Sequence, residues 1–240
     1  MTKDSELLER VREALRADTR VGFDEASISL SVDGDQIIID GEVADIAAKR
    51  WALHRAAELV QNRGIVDRLH VRPAVAMEDG MIRDLVRNAL IGEAALSRCR
   101  LRERVKGKFL LVRDPPGARE TIDIRVEDGV VILEGEVAGL AEKRLAGALA
   151  WWVAGSRDVI NRLRVVPAEA DNDFEIVDAV RLVLEKDPFV NADQLRVRVK
   201  QAVVNLDGLV PTESERDMAE HDAWYVFGVE DVVNRIEVKA

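Results

Sequence analysis

The sequence predicts an α+β protein made of three tandem αββαβ modules, each a small three-stranded mixed sheet with two helices packed on one face. Three observations predict it. The segments Ile38-Ile39-Asp40-Gly41-Glu42-Val43, Ile132-Leu133-Glu134-Gly135-Glu136-Val137 and Asn205-Leu206-Asp207-Gly208-Leu209-Val210 share an acidic residue, a Gly, one free position and a Val. Twenty-six positions after each Gly stands a small polar residue followed by Arg: Asp67-Arg68, Asn161-Arg162 and Asn234-Arg235. Each copy opens with apolar residues at helical spacing: Leu8, Val11 and Leu15, then Ile82, Val86 and Leu90, then Val177, Val180 and Leu184.

Within a copy the elements follow in order. The opening amphipathic stretch is the first helix. An alternating run ends at Val32, Val126 or Val199, nine positions before the Gly, and forms the first strand. Asp33-Gly34 and Asp128-Gly129 are hairpin turn signals that join it to the second strand. The third copy has Lys200-Gln201 there and carries no such signal. The repeated Gly closes the second strand, where it permits positive φ or the close approach of another backbone. A second helix crosses to a third strand, Leu69-His70-Val71, Leu163-Arg164-Val165 or Ile236-Glu237-Val238, suited to parallel pairing. Gly155 and Gly228, twenty positions after their repeat Gly, are read as left-handed caps of that helix. The first copy has Gln61 at that place and Gly64 soon after, so its helix is expected to end later.

Pro73-Ala74-Val75 and Pro167-Ala168-Glu169 mark the joints, giving modules over 1–74, 75–168 and 169–240. Both linkers are short, which favours a fixed orientation between neighbours. The second copy departs from the plan. Val86 lies 49 residues before Gly135, against 30 and 28 in the other copies. The excess near 99–121 contains Arg98, Arg100, Arg102, Arg104, Lys106 and Lys108, then Asp114-Pro115-Pro116-Gly117. Alternate basic residues line one face of a strand, and Pro-Pro-Gly marks a turn. A solvated loop or extra hairpin, an anion-facing patch and inter-domain salt bridging all fit this stretch.

The second helix should bury positions 11, 14–15 and 18 after its Gly. These are Ala146, Leu149 and Val153 in copy two, and Ala219, Asp222 and Val226 in copy three. Position 16, Trp151 or Trp224, points away from that face, and position 17 is Trp152 or Tyr225. The helix Leu145–Ala154 is apolar nearly all round, so a lone module cannot cover it. It must face a neighbouring module, a second chain or a lipid surface. Trp suits the last, and Lys143 and Arg144 lie nearby.

Composition narrows the function classes. The 240 residues are 48% hydrophobic and 33% charged with a net charge of −10, which argues against a nucleic-acid partner. The lone Cys99 excludes an internal disulfide and a Cys-based metal site. His54, His70 and His221 fall at no ligating spacing, so no metal is expected. No nucleophile elbow, phosphate loop or nucleotide fingerprint is present, so neither a catalytic residue nor a cofactor is expected. No run reaches membrane-spanning length. The start, Met1 to Glu6, enters a charged helix without an apolar leader, which sets the expectation of a cytoplasmic location.

The acidic-Gly-x-Val step, the Ala-rich second helix and the close Gly228-Val229-Glu230-Asp231-Val232-Val233-Asn234 resemble the BON domain of bacterial osmotically induced and nodulation-type proteins. The resemblance covers nearly the whole chain in three copies. It implies αββαβ units that bind phospholipid membranes or small ligands without catalysis, often in the periplasm. The leading expectation is therefore a non-catalytic protein of envelope or osmotic stress that engages anionic lipid or a membrane-associated partner. Its contact residues are expected to be Trp151, Trp152, Lys143, Arg144, Trp224 and Tyr225, with Arg102, Arg104, Lys106 and Lys108 from the insertion. Gly41, Gly135 and Gly208 are structural. Self-association through module two is a further expectation. The rival is an ion- or small-ligand-sensing scaffold formed where modules meet.

Overall fold

Hydrophobic periodicity resolves into six helices and eleven strands in the computed structural model, which describes residues 3–24, 27–60 and 63–239. In the first module α1 (Lys3–Ala17) precedes β1 (Ile28–Asp33), β2 (Gln36–Val43), α2 (Ile46–Val60) and β3 (Gly64–Val71). The second has α3 (Asp79–Gly92), β4 (Arg100–Val105), β5 (Lys108–Arg113), β6 (Thr121–Glu127), β7 (Val130–Val137), α4 (Leu140–Trp151) and β8 (Asp158–Val165). The third runs α5 (Asp173–Lys186), β9 (Leu195–Lys200), β10 (Val203–Val210), α6 (Glu213–Tyr225) and β11 (Asp231–Val238). The chain divides into two units, Met1–Arg72 and Pro73–Ala240, so modules two and three form one body.

In every module the first two strands pair antiparallel and the last joins parallel, as the crossover helix requires. The outer modules have three strands, ordered β1-β2-β3 and β11-β10-β9. The second sheet is widened to five, ordered β5-β4-β6-β7-β8. Three strands were expected there. The insertion folds as a hairpin whose first strand, β4, adds parallel to β6 and leaves β5 as the edge.

The repeated Gly lies inside the second strand, two residues before its end, and a close backbone explains it. A Cβ on Gly41 would sit 1.9 Å from the Ser27 carbonyl oxygen; on Gly135, 2.1 Å from that of Thr121; on Gly208, 2.3 Å from that of Gln194. The small polar residue 26 positions later ties the third strand to the second helix. Asn161 donates to the Lys143 carbonyl at 2.7 Å and accepts from the Leu163 amide. Asn234 donates to the Arg216 carbonyl and accepts from the Ile236 amide. Asp67 takes the Leu69 amide and pairs at 3.0 Å with the buried Lys49 ammonium, which stands where module two has Lys143.

The β6–β7 and β9–β10 turns share one device that the sequence conceals. Asp79 at the start of α3 accepts from the amides of Asp128 and Gly129, at 3.0 and 2.8 Å. Asp173 at the start of α5 accepts from those of Gln201 and Ala202, at 2.8 and 2.9 Å. Both residues of the third turn have positive φ, 53° and 60°, with no glycine present, and the Asp173 bonds hold them there.

The helix-end glycines divide. Gly228 has a positive φ of 96°, but it stands two residues beyond Val226, where α6 is capped. Gly155 has no positive φ. Its side-chain space is taken instead by Met77 and Ile82, both 2.9 Å from where a Cβ would lie. Gln61 lies outside the described residues; α2 is described to Val60 and β3 starts at Gly64, so no helix reaches Gly64. In α5 the buried stripe is Ile176, Ala179, Val180, Val183 and Leu184, with the expected Val177 only half-buried.

Candidate functional site

Two features of the Pro73–Ala240 unit gather the residues singled out from sequence: the junction between modules two and three, and the β4–β5 hairpin.

The junction begins with the oily helix. Ala146, Leu149 and Val153 enter the core of module two, together with Ile82, Val86, Leu133 and Leu163. The opposite side of α4 packs on α5 and α6. Trp151 stacks on Tyr225 of α6, ring centroids 5.3 Å apart and planes within 15°. Trp152 donates its indole N–H to Asp222 Oδ1 at 2.8 Å. Trp224 is only 2% exposed. Lys143 lies 3.8 Å above the Phe227 ring, and burial together with the nearby Arg144 charge pulls its pKa down.

Arg144 is 1% exposed, and its surroundings explain how the chain tolerates that. Its guanidinium donates to Asp171 at 2.6 Å and to the Phe227 carbonyl at 2.9 Å. Gly228 leaves room for it: a Cβ there would lie 3.2 Å from the guanidinium and 3.1 Å from Asp171. The linker supplies a second anchor. α4 is preceded at its N-cap by Gly139, which has no capping side chain, and Glu169 accepts from the Leu140 amide at 2.8 Å instead. Lys186 at the end of α5 reaches Glu93 in module two at 2.8 Å. The second joint is thus fixed by named bonds.

Six of the expected lipid contacts therefore lie in a protein–protein junction. Trp224 and Arg144 are inaccessible in it. Trp151, Trp152, Lys143 and Tyr225 are half-buried and engaged across it. The apolar side of α4, expected to face a neighbouring module, a second chain or a lipid surface, is covered by module three. Asp222 is what sequence reasoning underused. Its place on the buried face was legible, and it is 2% exposed, but its partner on another module was not. Burial pushes its pKa up to about 8, and the Asp187 carboxylate adds to the rise, against the lowering effect of the Trp152 bond.

The hairpin holds the rest. Segment 98–113 carries seven basic side chains and one acid, Glu103. Glu103 faces inward and is bound by Arg87 at 3.1 Å. Arg100 pairs with Asp114 at 2.7 Å. Arg102 makes two bonds to Asp123, 2.6 and 2.7 Å, and lies 4.5 Å over the Phe109 ring. Arg113 turns back to the carbonyls of Leu96 and Cys99. The anion-facing reading thus loses Arg102 to an internal partner. Arg104, Lys106 and Lys108 are exposed, and among the described residues no carboxylate pairs with them. Beside them stands an apolar edge that sequence reasoning missed. Phe109, Leu110 and Leu111 of β5 are 50%, 50% and 62% exposed. Its signal in the sequence is Lys108-Phe109-Leu110-Leu111-Val112-Arg113, unusually apolar for an edge strand and adjoining the alternating charges.

Other chemistry is sparse. Cys99 is buried against Glu120, and that burial pushes its thiol up to about 12. Among the described residues no group of three or more His, Cys, Asp or Glu could hold a metal ion, and no helix is long and apolar enough to cross a membrane.

Similarity to known proteins follows the module plan. The family model described as "BON domain" matches residues 3–73, 100–167 and 172–240. The chain is 28% identical over 124 residues to "Osmotically-inducible protein Y" of Escherichia coli (strain K12), a match spanning 49% of this chain and 62% of that protein. Two solved structures of CdsD, a structural protein of the type III secretion system of Chlamydia trachomatis, also align. The first, of its C-terminal domain, has a TM-score of 0.26 at 11% identity and covers 100% of both chains. The second has a TM-score of 0.25 at 12% identity and covers 98% of this chain and 92% of the other. Both TM-scores lie far below the value that marks a shared fold.

Proposed function

The chain belongs to the BON domain family, and on that premise we propose that it is a non-catalytic stress protein that docks on anionic phospholipid through the β4–β5 hairpin of its second module. The single observation that carries the reading is the juxtaposition at that hairpin. Exposed Phe109, Leu110 and Leu111 lie beside Arg104, Lys106 and Lys108, with the Arg104 guanidinium 5.8 Å over the Phe109 ring. An apolar wedge with a basic rim suits the boundary between acyl chains and anionic headgroups. Electrostatic attraction brings the rim to the surface, and burial of three large side chains holds it there. Attraction through the basic rim makes binding salt-sensitive, and the overall charge of −10 keeps it weak. The relative's name, an osmotically inducible protein, supports placing the role in osmotic stress.

Sedimentation with vesicles tests this. Phosphatidylglycerol vesicles at low salt should pellet the protein, and phosphatidylcholine vesicles should not. Leu111→Asp, or Lys106→Glu with Lys108→Glu, should abolish pelleting, while Trp151→Ala should leave it intact. No pelleting at low salt, or pelleting indifferent to the hairpin changes, would refute the reading.

A further inference from the structure

Asp222 sits in the junction under conditions that a charged carboxylate tolerates poorly. It is 2% exposed, and Trp152 reaches its Oδ1 from α4. Its Oδ2 is buried with no donor facing it among the described residues. Its acidic neighbour is the Asp187 carboxylate at the end of α5, whose Oδ1 accepts from the Phe189 amide at 2.8 Å. Two carboxylates share a hydrogen bond only when one of them carries the proton.

The cations nearby are committed elsewhere. On α4, Lys143 covers Phe227 and Arg144 is bound by Asp171 and the Phe227 carbonyl. On α5, Lys186 is held by Glu93. The strands under α6 present Val204 and Leu206 of β10 and Val232 and Ile236 of β11, all apolar. On α6 itself, Glu220 is turned to Asn234, Tyr225 to Trp151, and the neighbouring His221 is half-buried.

We propose that Asp222 is a proton-operated latch between modules two and three: protonated, it bonds Trp152 and Asp187 at once and closes the junction; ionised, it is stranded beside a second anion and the junction loosens. The direction follows from linkage. A carboxyl held at about 8 when closed, against 3.8 in water, keeps its proton in the closed form and loses it in the open one. Between those values each rise in pH favours opening, by up to about tenfold per unit, and above the upper one the effect levels off. Opening bares the apolar side of α4 with Trp151 and Trp152. Acid therefore closes the latch, and neutral to mildly alkaline conditions ease it.

The test is amide hydrogen exchange of residues 140–151 and 213–225 in the full chain, from acid to mildly alkaline pH. Rates are taken as the ratio of wild type to Asp222→Asn at each pH, so that the intrinsic chemistry of exchange cancels. Asparagine accepts from Trp152 and donates to Asp187, so it mimics the protonated state and should fold. The ratio should climb with pH and then flatten near 8. Asp187→Asn, at a half-buried site, lowers the pKa of Asp222 and should make the climb end at a lower pH. A constant ratio, a ratio that falls as pH rises, failure of Asp222→Asn to fold, or an unmoved plateau in Asp187→Asn would each overturn the latch.

Discussion

Replacing Gly41 by Ala tests how strictly the repeated glycine sets the module. The added Cβ would lie 1.9 Å from the Ser27 carbonyl oxygen and 3.0 Å from the Ile28 Cα, both backbone, with φ at 140°. A rigid strand cannot yield as a flexible side chain would. Forcing a methyl into packed surroundings costs about 1–3 kcal/mol, and holding a non-Gly residue in such a backbone region costs about 1–3 kcal/mol more. The total, about 2–6 kcal/mol, compares with a stability of about 4–11 kcal/mol expected of a 72-residue unit at typical per-residue values. Met1–Arg72 should therefore lose roughly half of its stability, while Pro73–Ala240, a separate unit, should not change. Urea unfolding followed by hydrogen-exchange mass spectrometry resolves the two, since peptides from each unit report separately. A loss below about 1 kcal/mol in the first unit would show that β1 can move aside and would refute the close-approach argument.

Four further outcomes follow from the same geometry. Ala202→Gly should stabilise the third module by about 0.5–1 kcal/mol, because Ala202 already holds φ 60°; calorimetry of the full chain reads it. Trp152→Phe removes the N–H that favours ionised Asp222, so it should cost about 1–3 kcal/mol and push the Asp222 pKa above 8, measurable by carboxyl NMR titration. Asp18, bonded by Arg20 and Arg55, has a lowered pKa, so its contribution to the first unit is present above the ordinary Asp range and disappears as acid protonates it; Asp18→Asn should remove that acid-side loss from the unfolding curve, a sign opposite to that of Asp222. Cys99 should resist a thiol reagent at neutral pH until the protein is unfolded in urea, since its thiol is buried and pushed up to about 12.

What the sequence disclosed was what periodicity and spacing can carry. The strands, the crossover helices and the pairing of Asp33-Gly34 and Asp128-Gly129 with turns follow from local rules. The turn at Gln201-Ala202 did not, because its cause is Asp173, some 28 residues away, and no local preference signals it. The buried face of α4 and α6 was legible down to Asp222, and so was the need for α4 to find a cover. The cover itself was not, because the bonds of Arg144 to Phe227 and of Trp152 to Asp222 span 83 and 70 residues. The insertion showed its charge more readily than its apolar edge. Pairing decides which cations remain available, and Asp123, which neutralises Arg102, lies outside the basic run.

The account stands on module three serving as the lid of the oily helix. Native-state hydrogen exchange of the intact chain across rising urea tests this directly. Amides of α4 and α6 should open together, with one free energy and one denaturant slope. If α6 opens at low urea while α4 stays protected, the helix has some other cover and the junction does not do what is claimed for it.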